Sequence, residues 1–217
     1  LNRHAKKDSS DAGYVHSLTA EGEQLDQKLD AYDFAFFLLS CAYRYQSFSD
    51  LQALDQANKL LQQIEHQFRS VPGGWMEGDY SSPYRRQNPH MHLFEAFLAL
   101  YQVTKDGKWL AKAGQIYTLF ETVFFRADQG VLLEYFTDQW QPLPGPQGQI
   151  VEPGHMFEWV WLLRWLEGRV LYRAKRHGAE KVMDERQRWW RERARSRARR
   201  ATTCATPSTG CPRAVPW

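Results

Sequence analysis

A repeat constrains this chain more than any other feature of its sequence. An apolar helix, an amphipathic helix and a loop containing glycine return after about sixty residues. Residues 30–46 (DAYDFAFFLLSCAYRYQ) are apolar almost all round, which predicts a buried helix. Residues 49–69 carry Leu51, Leu54, Ala57, Leu60, Leu61, Ile64 and Phe68 at spacings of three and four, with Ser49 as the expected N-cap. Residues 90–104 are again nearly all apolar, residues 107–126 again amphipathic, and residues 154–176 begin apolar and turn basic. A shift of 57 residues lays Ala53, Ala57, Leu60, Phe68, Arg69, Gly73 and Glu77 on Leu110, Gly114, Tyr117, Phe125, Arg126, Gly130 and Glu134. A shift of 63 lays His92-Leu93-Phe94-Glu95 on His155-Met156-Phe157-Glu158. Units that cannot bury their faces alone stack into solenoids or closed rings. The expectation is an all-α fold in which 30–46, 90–104 and 154–170 are adjacent inner helices and 49–69 and 107–126 form an outer layer. The loops 11–29, 72–89 and 128–153 would then gather at one end of the inner helices as a functional rim.

Composition narrows the class. With 43% hydrophobic and 24% charged residues the chain can bury a core, so a collagenous, disordered or disulfide-rich protein is excluded for its bulk. No apolar stretch approaches the ~20 residues of a membrane span, so no membrane partner is expected. The opening Leu1-Asn2-Arg3-His4 is polar and runs into Lys6, Lys7 and Asp8, unlike a signal peptide, and a first residue other than Met suits a start within a longer protein. Cys41, Cys204 and Cys211 fit neither a disulfide framework nor a zinc site, which points to a reducing cytoplasm. Charge is split: residues 1–163 hold 13 Lys/Arg and 20 Asp/Glu, a net −7, and residues 164–217 hold 15 and 5, a net +10.

The chemistry concentrates on two stretches. Arg86-Gln87-Asn88-Pro89-His90-Met91-His92 opens one apolar helix, and Val151-Glu152-Pro153-Gly154-His155-Met156-Phe157-Glu158 opens another. A proline just before each suits the first turn of a helix, which puts each imidazole in a first turn at the loop end. Histidines there can act as general acids and bases near neutral pH. A lone histidine at a helix start is more often capped or packed. Two at corresponding positions, each with Glu three residues on, strengthen the catalytic reading. A metal site built from His90-x-His92 and the two His-x-x-Glu pairs is disfavoured, because His90 and His92 lie roughly 200° apart around a helix. Trp159, Trp161 and Trp165 suit core packing before sugar stacking.

At these residues the chain resembles the N-acylglucosamine 2-epimerase family, which includes mannose isomerases and cellobiose 2-epimerases. The resemblance rests on Arg86–Ala96 and Val151–Trp159, is supported by Asp138–Gly145 and Ala31–Phe36, and spans about residues 11–176. It implies part of an (α/α)6 barrel, incomplete at both ends, with the active site in the axial cavity. It also implies isomerisation or 2-epimerisation at C1–C2 of an aldose such as mannose or an N-acylglucosamine, through an enediolate, with no metal and no cofactor. By the same resemblance His155 is one of two acid/base histidines and His92 assists ring opening or proton relay. Asn88 and Glu158 hold substrate hydroxyls, with Glu158 also able to orient His155, and Tyr32 lines the cavity. His90 is expected to be structural. The family's active-site arginine and its second acid/base histidine have no match in residues 1–176, so the chain alone is expected to be a poor catalyst.

Residues 186–200 hold eight arginines and no lysine, followed by a tail of Ala, Thr, Pro, Ser and Cys. Such a run can bind nucleic acid, yet it reads better as a GC-rich gene out of frame. The expected organisation is a barrel domain over 1–177 and an Arg-rich, disordered tail over 178–217. The partner is a small sugar, nucleic acid is not expected, and a homodimer is left open. The rivals are an (α/α)6 glycoside hydrolase or lyase, which would need two carboxylates flanking the bond, and a non-catalytic sugar- or protein-binding remnant.

Overall fold

Two residues turn each of the two helical hairpins of this chain. Its computed structural model describes residues 5–8, 11–68 and 73–176, with side chains as far as residue 168. Helix α1 (Ala31–Phe48) ends at Ser49, whose φ of 52° is left-handed, and Asp50 then accepts from the N–H groups of Gln52 and Ala53 to start α2 (Leu51–Gln67). Helix α3 (Gln87–Thr104) ends at Lys105, φ 59°, and Asp106 accepts from Lys108 to start α4 (Gly107–Leu119). In both connections the first residue reverses the chain and the aspartate satisfies first-turn donors. Ser49 is therefore a C-terminal residue of α1 and not the N-cap of α2, because a two-residue link needs a left-handed residue before its cap.

After α4 the chain widens into a π-helical turn, Phe120–Phe124, and leaves the helix earlier than the expected residue 126. Helix α5 (Pro153–Arg176) follows. Among the described residues six short strands, absent from the sequence reading, pin the loops: β1 (Ser17–Leu18), β2 (Gln24–Asp26), β3 (Arg85–Arg86), β4 (Phe125–Arg126), β5 (Val131–Leu132) and β6 (Tyr135–Phe136). They pair antiparallel as β1–β2, β3–β6 and β4–β5. Gly130, at φ 73°, closes the β4–β5 turn in a conformation that a side chain would strain.

Helix α1 packs against α3, α2 lies along α1, and α4 lies along α3. Helix α5 joins the row through Trp159, stacked on Phe94 of α3 (centroids 5.3 Å) and on Phe120 (4.6 Å). The inner and outer sets are those read from the hydrophobic pattern, and two thirds of α3 is buried against a third of α1. Apolar on every side does not mean buried on every side. Among the described residues α3 lies between α1 and α4 and also meets α5 through the Phe94–Trp159 stack. Helix α1 exposes Tyr43 (51%) and Phe48 (79%), and α5 exposes Phe157 (77%) and Trp161 (51%).

The inner helices open on a common junction. The first N–H of α1, at Ala31, donates to the carbonyl of Glu77 (2.8 Å), beside an antiparallel bridge between Asp30 and Gly78. The first N–H of α3, at Gln87, donates to the carbonyl of Glu134 (3.1 Å), where β3 pairs Arg86 with Tyr135. Both glutamates are buried. The 57-residue shift that aligned them in sequence thus marks equivalent places in space.

The chain divides into units Leu1–Leu166 and Glu167–Trp217. Of the second, the described residues Glu167–Arg176 continue α5. The Arg-rich stretch and the tail expected over 178–217 lie outside the described residues. Among those described, no helix is long and apolar enough to cross a membrane.

Candidate active site

The β3–β6 ladder fixes this site before any helix does. Its register runs from Arg85 opposite Phe136 and Arg86 opposite Tyr135 to the Gln87–Glu134 hydrogen bond, so the side chains of Gln87 and Glu134 meet across the strands. The Gln87 Nε2 donates to Glu134 Oε2 at 2.9 Å. The indole N–H of Trp159 donates to Gln87 Oε1 at 2.7 Å.

His155, in the first turn of α5, reaches this pair. Its Nδ1 lies 3.0 Å from Glu134 Oε2, 3.4 Å from Glu152 Oε2 and 3.1 Å from Gln87 Nε2. Its Nε2 lies 3.3 Å from Asn88 Nδ2. Burial holds the carboxyl of Glu134 above its ordinary range, against the pull of the Gln87 amide and of His155. Two atoms here are buried without a partner among the described residues: Asn88 Oδ1 and Glu134 Oε1.

His92 lies one turn into α3, not in its first turn. The helix starts at Gln87, three residues earlier than expected, because the β3–β6 ladder feeds directly into it. Pro89 is tolerated because the first-turn N–H groups have no intrahelical acceptor to lose. The Nδ1 of His92 lies 3.3 Å from Glu95 Oε2 and 3.7 Å from Glu158 Oε1. Its ring stands edge-on to Tyr32 of α1 (5.1 Å) and beside Phe36 (4.8 Å).

Tyr32, Asn88, His92, His155 and Glu158 therefore gather at one rim, from the first two turns of three helices. Glu158 stands beside His92, and the carboxylate against His155 is Glu134. His90 points the other way and is structural, as expected. It is buried, with Nε2 accepting from the N–H of Trp75 (3.0 Å) and Nδ1 donating to the carbonyl of Arg86 (3.0 Å). Burial lowers its pKa to about 4, so it stays neutral.

Sequence reasoning missed Gln87, Glu95, Glu134 and Glu152 as members of the site. Gln87, Glu95 and Glu152 lie inside the quoted motifs, and Glu134 is singled out by its alignment with Glu77. The missing signal was strand register, which brings Glu134 across to a helix start 47 residues earlier. Among the described residues two clusters have the donor types for a divalent cation: His92, Glu95, Glu158 and Glu134, Glu152, His155, with ligand atoms within 4.8 Å of one another in each. A separate groove of about 980 Å³, lined by residues including Lys7, Asp11, His66 and Tyr80, lies away from these imidazoles.

Residues 1–201 match the model of the family described as N-acylglucosamine 2-epimerase (GlcNAc 2-epimerase). The match continues into the Arg-rich stretch that the sequence reading set apart. A mannose-6-phosphate isomerase of Rhizobium meliloti (strain 1021) is 39% identical over 155 residues, covering 69% of this chain and 40% of the relative. A cellobiose 2-epimerase of Bacteroides fragilis is 27% identical, covering 72% of this chain and 43% of the relative. A crystal structure of D-mannose isomerase superposes with a TM-score of 0.64 at 25% identity, covering 77% of this chain and 46% of that one. The cellobiose 2-epimerase of Bacillus thermoamylovorans B4167 superposes with a TM-score of 0.68 at 20% identity over 76% of this chain and 46% of that one, a likeness of fold. The chain spans less than half the length of each of these relatives.

Proposed function

The chain belongs to the N-acylglucosamine 2-epimerase family, and from that premise we propose that its rim is the proton-transfer site of a sugar isomerase or 2-epimerase. Its helices form part of an (α/α)6 barrel. The observation that carries the reading is the convergence of two imidazoles, an amide, a carboxylate and a phenol on one rim from three helices.

The chemistry asks for such a set. A proton on C2, next to the carbonyl of an open-chain aldose, is acidic enough for a base of pKa near 6.5 to remove with help at the oxygen. In the proposed sequence His155 takes that proton and the C–H pair becomes the enediolate double bond, while the carbonyl oxygen gains a proton from an acid. Return of the proton to C1, as the C2 hydroxyl gives up its own, yields the ketose. Return to the opposite face of C2, as the C1 hydroxyl gives back the proton it gained, yields the epimer. His92 protonates or deprotonates the ring oxygen and hydroxyls during opening, with Glu95 and Glu158 beside it. Asn88 Oδ1 accepts from a substrate hydroxyl, which gives that buried oxygen a partner. Tyr32 and Phe36 supply an aromatic wall against a sugar face. A proton moves and no hydride does, so the proposed reaction calls on no redox cofactor.

The test is exchange of the C2 proton into D₂O, followed by NMR, with mannose, N-acetylmannosamine and cellobiose. It is run on the 217-residue chain and on a chimera completed by the second half of a D-mannose isomerase. We expect exchange of at least one sugar, faster in the chimera, unaffected by EDTA, and lowered ~10²–10⁴-fold by His155→Ala. Exchange that survives His155→Ala, or none by either protein on any of the three sugars, overturns the reading.

A further inference from the structure

We propose that Glu134 is a positioning residue that holds His155 in the tautomer protonated at Nδ1, turning the unprotonated Nε2 towards the open rim, and that Trp159 prepares it by locking the Gln87 amide. The inference rests on the reading of His155 as the acid/base group and adds the device that aims it.

The argument starts at the one member whose hydrogen is beyond choice. An indole nitrogen only donates, so the oxygen of the Gln87 amide must face Trp159, at 2.7 Å. Its NH₂ then faces the other way, where Glu134 Oε2 accepts at 2.9 Å. That orientation follows from bonding and not from electron counting on two similar atoms. Trp159 is itself held rigid between Phe94 and Phe120.

Three groups now crowd Nδ1 of His155: the Glu134 carboxylate at 3.0 Å, the Glu152 carboxylate at 3.4 Å and the Gln87 NH₂ at 3.1 Å. A protonated Nδ1 donates to a carboxylate, a charge-assisted bond roughly twice as strong as a neutral one. An unprotonated Nδ1 gains only the Gln87 N–H and sets its lone pair against two carboxylates. The carboxylates win, and the buried one, Glu134, dominates because Glu152 is half exposed. At the far side of the ring Asn88 Nδ2 lies 3.3 Å from Nε2, as a donor to a lone pair would. Free histidine in water prefers the proton on Nε2, so the site reverses the intrinsic preference.

The tautomer is read directly by long-range ¹H–¹⁵N NMR on the ¹⁵N-labelled 217-residue chain, at a pH where His155 is neutral. The expected spectrum has a pyrrole-type Nδ1 and a pyridine-type Nε2. The opposite pattern in the unmodified chain overturns the proposal with no variant needed. Glu134→Met keeps the volume and removes the acceptor, leaving the locked Gln87 N–H as the nearest partner of Nδ1. In a Glu152→Gln background it should move His155 to the Nε2-protonated form, while Glu152→Gln alone leaves the tautomer unchanged. Glu134→Asp, shorter by one methylene, should give a mixture, which serves if the Met variant does not fold. A folded Met or Asp variant that keeps the single Nδ1-protonated form also overturns it. Because the spectrum is independent of turnover, a tautomer that responds beside a failed exchange assay would count against the proposed reaction and leave the positioning role standing.

Discussion

Glu77 and Glu134 occupy the same place in successive repeats and do different work. Each is buried, each gives its carbonyl to the first N–H of an inner helix, and burial raises the carboxyl pKa of both. Glu77 faces Arg86, taking its backbone N–H at 2.7 Å and its Nε at 2.5 Å. Its charge is spent inside the fold. Glu134 faces an uncharged amide and an imidazole, and one of its oxygens is left without a partner among the described residues. The contrast teaches that a repeat supplies a buried carboxylate at a helix start, and that the residue opposite decides whether it closes an ion pair or stands against an imidazole.

The largest expected effect tests the ion pair. Glu77→Met strands the Arg86 guanidinium, and breaking a buried pair from one side costs about 3 kcal/mol or more. Glu134→Met loses hydrogen bonds but strands no permanent cation, so its cost should be about 1–2 kcal/mol. Urea unfolding followed by circular dichroism compares them, and a larger loss at Glu134 would break the comparison.

Next comes the pair of histidines that the sequence places two residues apart. His90 takes up a proton near 6.5 when unfolded but only at about 4 when folded. Stability from its neutral burial is complete above pH 6.5 and is lost as pH falls towards 4, by about 3 kcal/mol. His90→Gln should be the less stable protein at pH 7 and should lack this decline. An unchanged decline would show that His90 is not its source.

Glu134 has the opposite sign. Its raised pKa means that the folded state keeps a proton which the unfolded state releases above 4.5. That advantage is full below pH 4.5 and is lost as pH rises through the folded pKa. Relative to Glu134→Gln, the parent chain should therefore lose stability as pH rises from 4.5 to 7, measured by the same unfolding curves. A parallel pair of profiles would mean that the carboxyl is not perturbed.

The smallest effects belong to the hairpin turns. Asp106→Ala should cost about 1 kcal/mol, the usual worth of an N-cap. Asp50→Ala should cost somewhat more, since Asp50 also pairs with Arg44 at 2.5 Å. Equal losses would show that the ion pair adds nothing at that exposed position.

How much of this was legible varies by element. The five helices, their inner and outer layers and the two histidine motifs were readable because hydrophobic period and motif spacing are local properties of a chain. The end of α1 was not: Ser49 has the composition of a cap, but the length of the turn decided that Asp50 caps. The exposed faces of α1 and α5 were illegible too, since periodicity reports what a helix can bury and not what neighbours it has. At the site, the sequence by itself determined which imidazoles and which amide stand at helix starts. Only the tertiary structure decided that Glu134, 21 residues before His155, lies against its Nδ1 while Glu158, three residues after, lies against His92. The reason is geometric. Residues three apart on a helix share a face, but the partner of a ring nitrogen is set by what lies across the ladder, and strand register is a contact between distant segments that no local pattern encodes.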